Sequence, residues 1–176
     1  ATYGVTLART LQAMGHEVDG VFGLDVGRER DTRELLFFDN MGQGHRATDR
    51  EMHRSVSLQM PLTWFSAGLI DVPLSDQVEK RGFAERLPNF SRLLSSPFLF
   101  ELAYSRLKYF KSFLTVTMPD PPAVMHWTYP IPIRMKGAKN IYTIHDLVPL
   151  RLPYATLDDK RLYHRLVTWC IRTADH

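Results

Sequence analysis

The run Ile141-Tyr142-Thr143-Ile144 most narrows what this chain can fold into. It is a continuous block of β-branched and aromatic residues without polar alternation, the pattern of a strand covered on both faces and hence of a parallel sheet in an α/β protein. The strand predicted within Lys139 to Ile144 runs straight into His145 and Asp146, and Pro149 blocks its continuation. In an open α/β sheet, ligands bind in the crevice outside the carboxyl ends of the strands. The most reactive side chains of this stretch therefore stand where such a fold makes a site.

A chain of 176 residues is long enough for one domain with a sizeable core or for part of a larger one. Its 44% apolar and 23% charged residues fit a globular protein rather than a disordered or membrane-spanning one, and no apolar run reaches the length of a span. A formal charge of +3 is too small an excess to argue for nucleic acid, so no nucleic-acid partner is expected. The single cysteine, Cys170, excludes an internal disulfide and fits a reducing compartment. Its apolar neighbours at helical spacing make it a packed thiol rather than a nucleophile.

Tyr3, Leu7, Leu11 and Met14 recur at helical spacing, with Gly15 placed to end the helix, and Val18, Val21 and Phe22 make a short strand within His16 to Gly23. A helix-turn-strand opening implies a strand ahead of the helix, since a parallel βαβ unit needs both; that strand would lie before Ala1. Gly42-Gln43-Gly44-His45 is a poor phosphate loop, having no strand in front and no third glycine, and reads as a mobile surface connection. Leu35 to Phe38 suggests a short strand, and Met60 to Gly82 a short helix and a loop. Asn89-Phe90-Ser91 matches the N-glycosylation triplet, which has meaning only in a secreted protein.

Ser96-Pro97 offers an N-cap and a proline at the first helical position, followed by Leu99, Ala103, Leu107, Phe110 and Leu114 at helical spacing. The plain reading is a core helix with solvated lysines. The alternative is a basic, aromatic helix that also touches a membrane surface over residues 97–114, through Arg106, Lys108 and Lys111. Ala123 to Trp127 is a second buried-strand candidate, Thr128 to Gly137 reads as loop because of Pro130 and Pro132, and a last helix begins at Thr156 as N-cap with Asp159 three residues on. The core face of that helix is Tyr163, Leu166, Val167, Cys170 and Ala174, and the next element of a doubly wound fold would lie beyond His176.

Two successive strand candidates each deliver a histidine to their carboxyl ends, His126 from the first and His145, with Asp146, from the second. If the strands are parallel neighbours, both imidazoles open onto one crevice walled by Tyr129 and the proline-rich loop. Neutral histidines there orient hydroxyl groups or polarise a ligand. A strand-end histidine also serves simply by hydrogen bonding, a reading that holds equally well for His126 alone. A metal site would need further ligands at a spacing such as H-E-x-x-H, and a serine hydrolase a G-x-S-x-G elbow; neither is present. A metal-dependent phosphohydrolase of the His-Asp type would set its pair on a helix behind other histidines, whereas here it ends a strand.

Thr143 to Pro153 (TIHDLVPLRLP), followed by a helix ending in Arg172 to His176 (RTADH), resembles the N-terminal domain of retaining GT-B glycosyltransferases of family 4. The opening ATYGVTLARTLQAMGHEVDGVFG resembles the first helix and second strand of that domain, and Met125 to Pro132 (MHWTYPIP) resembles its H-x-T-x-x-P strand and loop. The pieces stand in the family's order, while Leu24 to Pro119 matches nothing specific. The resemblance implies a Rossmann-like parallel sheet with helices on both faces, residues 1–176 forming an incomplete N-terminal, acceptor-side domain. Its first strand, with the glycine-rich loop after it, and a C-terminal nucleotide-sugar domain with an E-x7-E motif would lie outside the chain.

The implied reaction moves a hexose from a nucleotide-diphosphate sugar to a saccharide or lipid-linked acceptor with retention, with no metal and no other cofactor. His145 and Asp146 are the implied catalytic pair, and His126, Thr128 and Tyr129 the implied acceptor-binding residues. The setting would be cytoplasmic, at the inner face of the plasma membrane. Because the groups that stabilise the leaving diphosphate would lie elsewhere, these residues alone are expected to be inactive. The alternative is a Rossmann-like module that binds a ligand or partner without catalysis.

Overall fold

The computed structural model describes residues 2–43, 56, 58, 61, 66–75, 87–152, 154 and 159–175. The fold is α/β and Rossmann-like in having parallel strand pairs flanked by helices. The chain divides into two compact units, one of Ala1–Ser55 with Leu69–Leu99 and the other of Val56–Gly68 with Phe100–His176.

In the first unit, helix α1 (Thr2–Ala13) ends as expected on Gly15, whose φ of +86° is a conformation glycine adopts at little cost. Its inner face differs from the predicted one. Ala8 is buried while Tyr3 and Met14 are exposed, because the helix packs through a small residue and Gln12 Nε2 donates to the Asn89 carbonyl at 2.6 Å. Strand β1 (Gly20–Phe22) forms within the predicted segment. A 3₁₀ turn (Arg30–Thr32) leads into α2 (Arg33–Gln43), so Leu35 to Phe38 is helix, not strand, and Gly42 and Gln43 close that helix rather than belonging to a loop. Gly44 and His45 lie outside the described residues.

An apolar run of that length carries no readable period, and burial decides it: Phe37 and Phe38 turn inward while Leu35 faces out. Strands β3 (Ile70–Val72) and β4 (Leu93–Ser95) complete a mixed sheet in which β1 runs parallel, and β3 antiparallel, to the central β4. The core joins Val26, Phe37, Phe38, Val72 and Leu93, with Phe22 meeting Phe37 edge to face at 5.0 Å. Glu34 is buried here, and its carboxylate accepts from the backbone N–H and the hydroxyl of Ser75.

In the second unit, β2 (Ala67–Gly68), β5 (Leu114–Thr117) and β7 (Ile133–Met135) form an all-parallel sheet with β5 in the middle. Strands β6 (Val124–Trp127) and β8 (Lys139–Tyr142) pair in parallel, in a register that sets His126 opposite Ile141 and Trp127 opposite Tyr142. Both were predicted, but β8 is covered less completely than its composition suggests, since Ile141 and Tyr142 are only half-buried.

Several boundaries are corrected. Helix α3 (Leu99–Phe110) begins after Phe98, whose φ is +53°, rather than on a Ser96-Pro97 cap, and it stops at Phe110 because Lys111 also turns left-handed at φ +53°. Leu114, expected at a helical position, opens β5. Arg106 does not extend into solvent like a surface lysine; its Nε donates to Ser112 Oγ and the Phe113 carbonyl, closing the helix end. The prolines that argued against a strand stand ahead of β7, and the Pro132 carbonyl takes the Leu114 N–H at 2.8 Å, so proline here supplies an acceptor and loses nothing.

A short helix α4 (Val148–Arg151) precedes α5 (Lys160–Thr173), which is capped by Asp159: its Oδ1 accepts from the N–H groups of Arg161 and Leu162. Thr156, the expected cap, lies outside the described residues. Leu166, Val167 and Cys170 make the buried face of α5, as expected, and Leu166 and Cys170 pack with Leu107 of α3 and the flank of Tyr142. Burial pushes the Cys170 thiol far above its ordinary pKa, in keeping with a packed side chain. Among the described residues no helix is long and apolar enough to cross a membrane.

Candidate functional site

The carboxyl ends of β6 and β8 are tied together by side chains exchanged between them. From β6, His126 reaches across so that its Nε2 lies 2.7 Å from Thr143 Oγ1, just past the end of β8. In the other direction, His145 Nε2 lies 2.8 Å from the carbonyl oxygen of Thr128, just past the end of β6. Between them the Thr143 N–H donates to the Trp127 carbonyl at 2.9 Å, continuing the ladder one step beyond the strands. Because side chains alternate along a strand, the register that opposes His126 to Ile141 also puts Thr143 on His126's side, and the bond results from it.

The bond from His145 fixes its chemistry. A carbonyl oxygen only accepts, so Nε2 carries the proton, and in the neutral ring Nδ1 is the basic nitrogen. His145 is exposed and His126 is half-buried, and desolvation lowers the pKa of His126 below the usual 6.5, favouring its neutral form. Asp146 is exposed and its Oδ1 accepts from the Val148 N–H at 3.0 Å, an Asx turn that launches α4; its backbone carbonyl accepts from the Tyr163 hydroxyl at 3.2 Å. Tyr129 comes directly after Thr128, and its hydroxyl pKa is raised by burial and, secondarily, by the charge of Glu101. Of the predicted site residues, then, His126, Thr128 and His145 belong to one hydrogen-bonded constellation, Tyr129 adjoins it, and Asp146 is turned toward the loop leading into α4.

The residues not foreseen are those that hold the constellation in place. Asn140, in β8, is fully buried, and its amide is completely used: Oδ1 accepts from the Met135 N–H at 2.8 Å and from Trp127 Nε1 at 3.2 Å, while Nδ2 donates to the carbonyls of Met135 at 3.0 Å and Ala138 at 2.9 Å. Asp175 grips the same residue from outside, its Oδ2 taking the Asn140 N–H and its own N–H reaching the Asn140 carbonyl. Asn140 thereby joins β6, β7 and β8, and Tyr142 adds a bond from its hydroxyl to the Ile133 carbonyl at 2.6 Å. The sequence signal was there, an asparagine directly ahead of the apolar run Ile141-Tyr142, where a buried amide must find partners.

Comparison with protein-family models, with curated proteins and with solved structures finds no match to this chain.

Proposed function

We propose that this chain is the acceptor-side part of a retaining glycosyltransferase, moving a hexose from a nucleotide-diphosphate sugar to a saccharide or lipid-linked acceptor. The observation that carries the reading is the exchange of histidines between β6 and β8. It gathers His126, Thr128, Thr143 and His145 at the carboxyl ends of two parallel strands, where α/β folds bind ligands. The ordered sequence pieces around these residues, resembling family 4 of the GT-B enzymes, supply the reaction class.

In this reading the Thr128 carbonyl holds His145 in one tautomer and one orientation at the strand ends, beside the substrate hydroxyls. His126, kept neutral by burial, orients a second hydroxyl without introducing charge. Asp146 acts as a positioning residue, setting the loop from which His145 projects. The setting we propose is cytoplasmic, at the inner face of the plasma membrane. Exposed Tyr109, Phe110, Lys108 and Lys111 at the end of α3 support peripheral contact there.

The test is to read the gene beyond both ends of this sequence and to assay its whole product with uridine- and guanosine-diphosphate hexoses, following product anomers by NMR. Transfer with retention is expected, and His145→Ala should lower kcat/KM by about 10² to 10⁴. The 176 residues alone should turn over no donor. A gene product that transfers no hexose, or one whose transfer survives His145→Ala unchanged, overturns the reading.

A further inference from the structure

Helix α3 buries Leu99, Leu102, Ala103 and Leu107, which leaves Phe100, Glu101 and Tyr104 together along its flank. That flank meets the loop after β6. The Phe100 ring lies 6.5 Å from the Tyr129 ring, centroid to centroid and tilted by 56°, and the Tyr104 hydroxyl donates to the Pro130 carbonyl at 3.4 Å. Glu101 follows Phe100 and lies three residues before Tyr104, beside them on the helix, and after burial its charge is the second cause that raises the Tyr129 hydroxyl pKa. Tyr129 and Tyr104 nevertheless keep 41% and 38% of their surface open, so the rings brace the loop and still present area outward. Tyr129 is next in sequence to Thr128, whose carbonyl holds His145, so this cluster and the histidines share one short turn.

We propose that Tyr129, Tyr104 and Glu101 form a subsite for a neutral pyranose ring. The proposal rests on the transferase reading for calling that ring part of the acceptor. A pyranose carries a patch of C–H bonds on its faces and hydroxyls around its rim. The C–H patch packs against an aromatic face, and the hydroxyls donate to a carboxylate in charge-assisted hydrogen bonds. Glu101 repels a phosphate or a uronic acid. A wholly apolar ligand would cover the carboxylate and leave it without a partner, which costs more than the ring contact returns. An uncharged, hydroxyl-rich ring satisfies both the aromatic surface and the charge.

Saturation-transfer NMR on the whole chain, with methyl α-mannopyranoside, methyl α-glucopyranoside and the methyl glycoside of glucuronic acid, tests this. Saturation of at least one neutral glycoside and none of the glucuronide is expected. Glu101→Gln and Tyr129→Leu should each weaken the effect about fivefold or more, as for the loss of a contact worth about 1 kcal/mol, and Tyr129→Phe should retain most of it. Unchanged amide chemical-shift dispersion in Glu101→Gln and Tyr129→Phe shows that the fold persists. Absence of saturation with both neutral glycosides, equal saturation of the glucuronide, or no loss in Glu101→Gln overturns the subsite. If the glycosides bind as expected while the gene product transfers no hexose, the subsite stands and the transferase reading falls. If hexose is transferred but Glu101→Gln and Tyr129→Leu leave acceptor KM unchanged, the reverse holds.

Discussion

The β6–β8 pair carries polar side chains at both of its ends and uses them differently. Near the start of β8, Asn140 has no exposed surface, and each lone pair of its Oδ1 and each N–H of its Nδ2 has a protein partner. At the carboxyl ends, His126 inside β6 and His145 beyond β8 each spend Nε2 on the neighbouring segment while standing half-buried or exposed. An amide that does not titrate and is shielded from water holds the strands in one register at every pH. An imidazole at the rim contributes less to that register, because water competes for its bonds, but it can meet a ligand and move a proton. The same two strands thus carry a sealed, fully bonded polar side chain at one end and water-accessible imidazoles at the other.

The largest effect that could break this division is at Asn140. Asn140→Ala strands the Met135 N–H and carbonyl and the Trp127 indole N–H without partners in a dry interior, and should cost on the order of 3–5 kcal/mol. Asn140→Asp should be at least as damaging, since a carboxylate cannot donate to the Met135 and Ala138 carbonyls and would be buried. Urea denaturation followed by tryptophan fluorescence measures both. A cost of less than about 1 kcal/mol for Asn140→Ala would mean that the amide is not what fixes the strands.

The second test sits at the other end. His145→Ala removes the hydrogen bond to the Thr128 carbonyl at an exposed position, where water competes for such bonds, so the unfolding midpoint should shift by no more than about 1 kcal/mol equivalent. A loss as large as that of Asn140→Ala would erase the distinction between the two ends.

The difference between the ends also accounts for what the sequence made legible. The strand of Lys139 to Tyr142 and its histidine could be read because β-branched and aromatic residues cluster there and a reactive pair comes next. Thr143 could not be picked out as His126's partner, because only the register, with His126 opposite Ile141, brings it within reach. Phe100 and Tyr104 were hidden for a similar reason: on a helix they read as ordinary flank residues until the Tyr129 loop is known to lie against them. Leu35 to Phe38 misled because a short apolar run has the same composition in a helix as in a strand. Ile133 to Met135 misled because proline was weighed as a breaker when its carbonyl was the useful group.

A smaller effect sharpens the comparison through pH. Burial holds the folded-state pKa of His126 below the unfolded value of 6.5. As pH falls through 6.5 the unfolded chain takes up a proton at this position before the folded chain does, so folding loses stability on acidification over the interval between the two pKa values. Unfolding free energies measured from pH 7 to about 5 should therefore slope downward, and His126→Gln should flatten part of that slope. Asn140→Ala, measured over the same range, should lower the whole curve and keep its slope, because no proton is exchanged at an amide. A steeper acid loss in His126→Gln would place the titrating group elsewhere.

The smallest effect concerns Asp146, which stands beside the chemical end but is bonded like a structural residue. Its Oδ1 accepts from the Val148 N–H, and an asparagine oxygen accepts equally well in that Asx turn. Asp146→Asn should therefore leave stability within about 0.5 kcal/mol, whereas Asp146→Ala, which loses the acceptor, should cost about 1 kcal/mol at this exposed position. If Asp146 serves only to set the loop that carries His145, transfer by the whole gene product should show the same order, with asparagine close to wild type and alanine impaired. A large fall in kcat for Asp146→Asn with stability unchanged would instead mean that the negative charge itself acts on the reaction. The aspartate would then be grouped with His145, and the polar side chains past β8 would be divided by charge and not by the bonds they make in the folded chain.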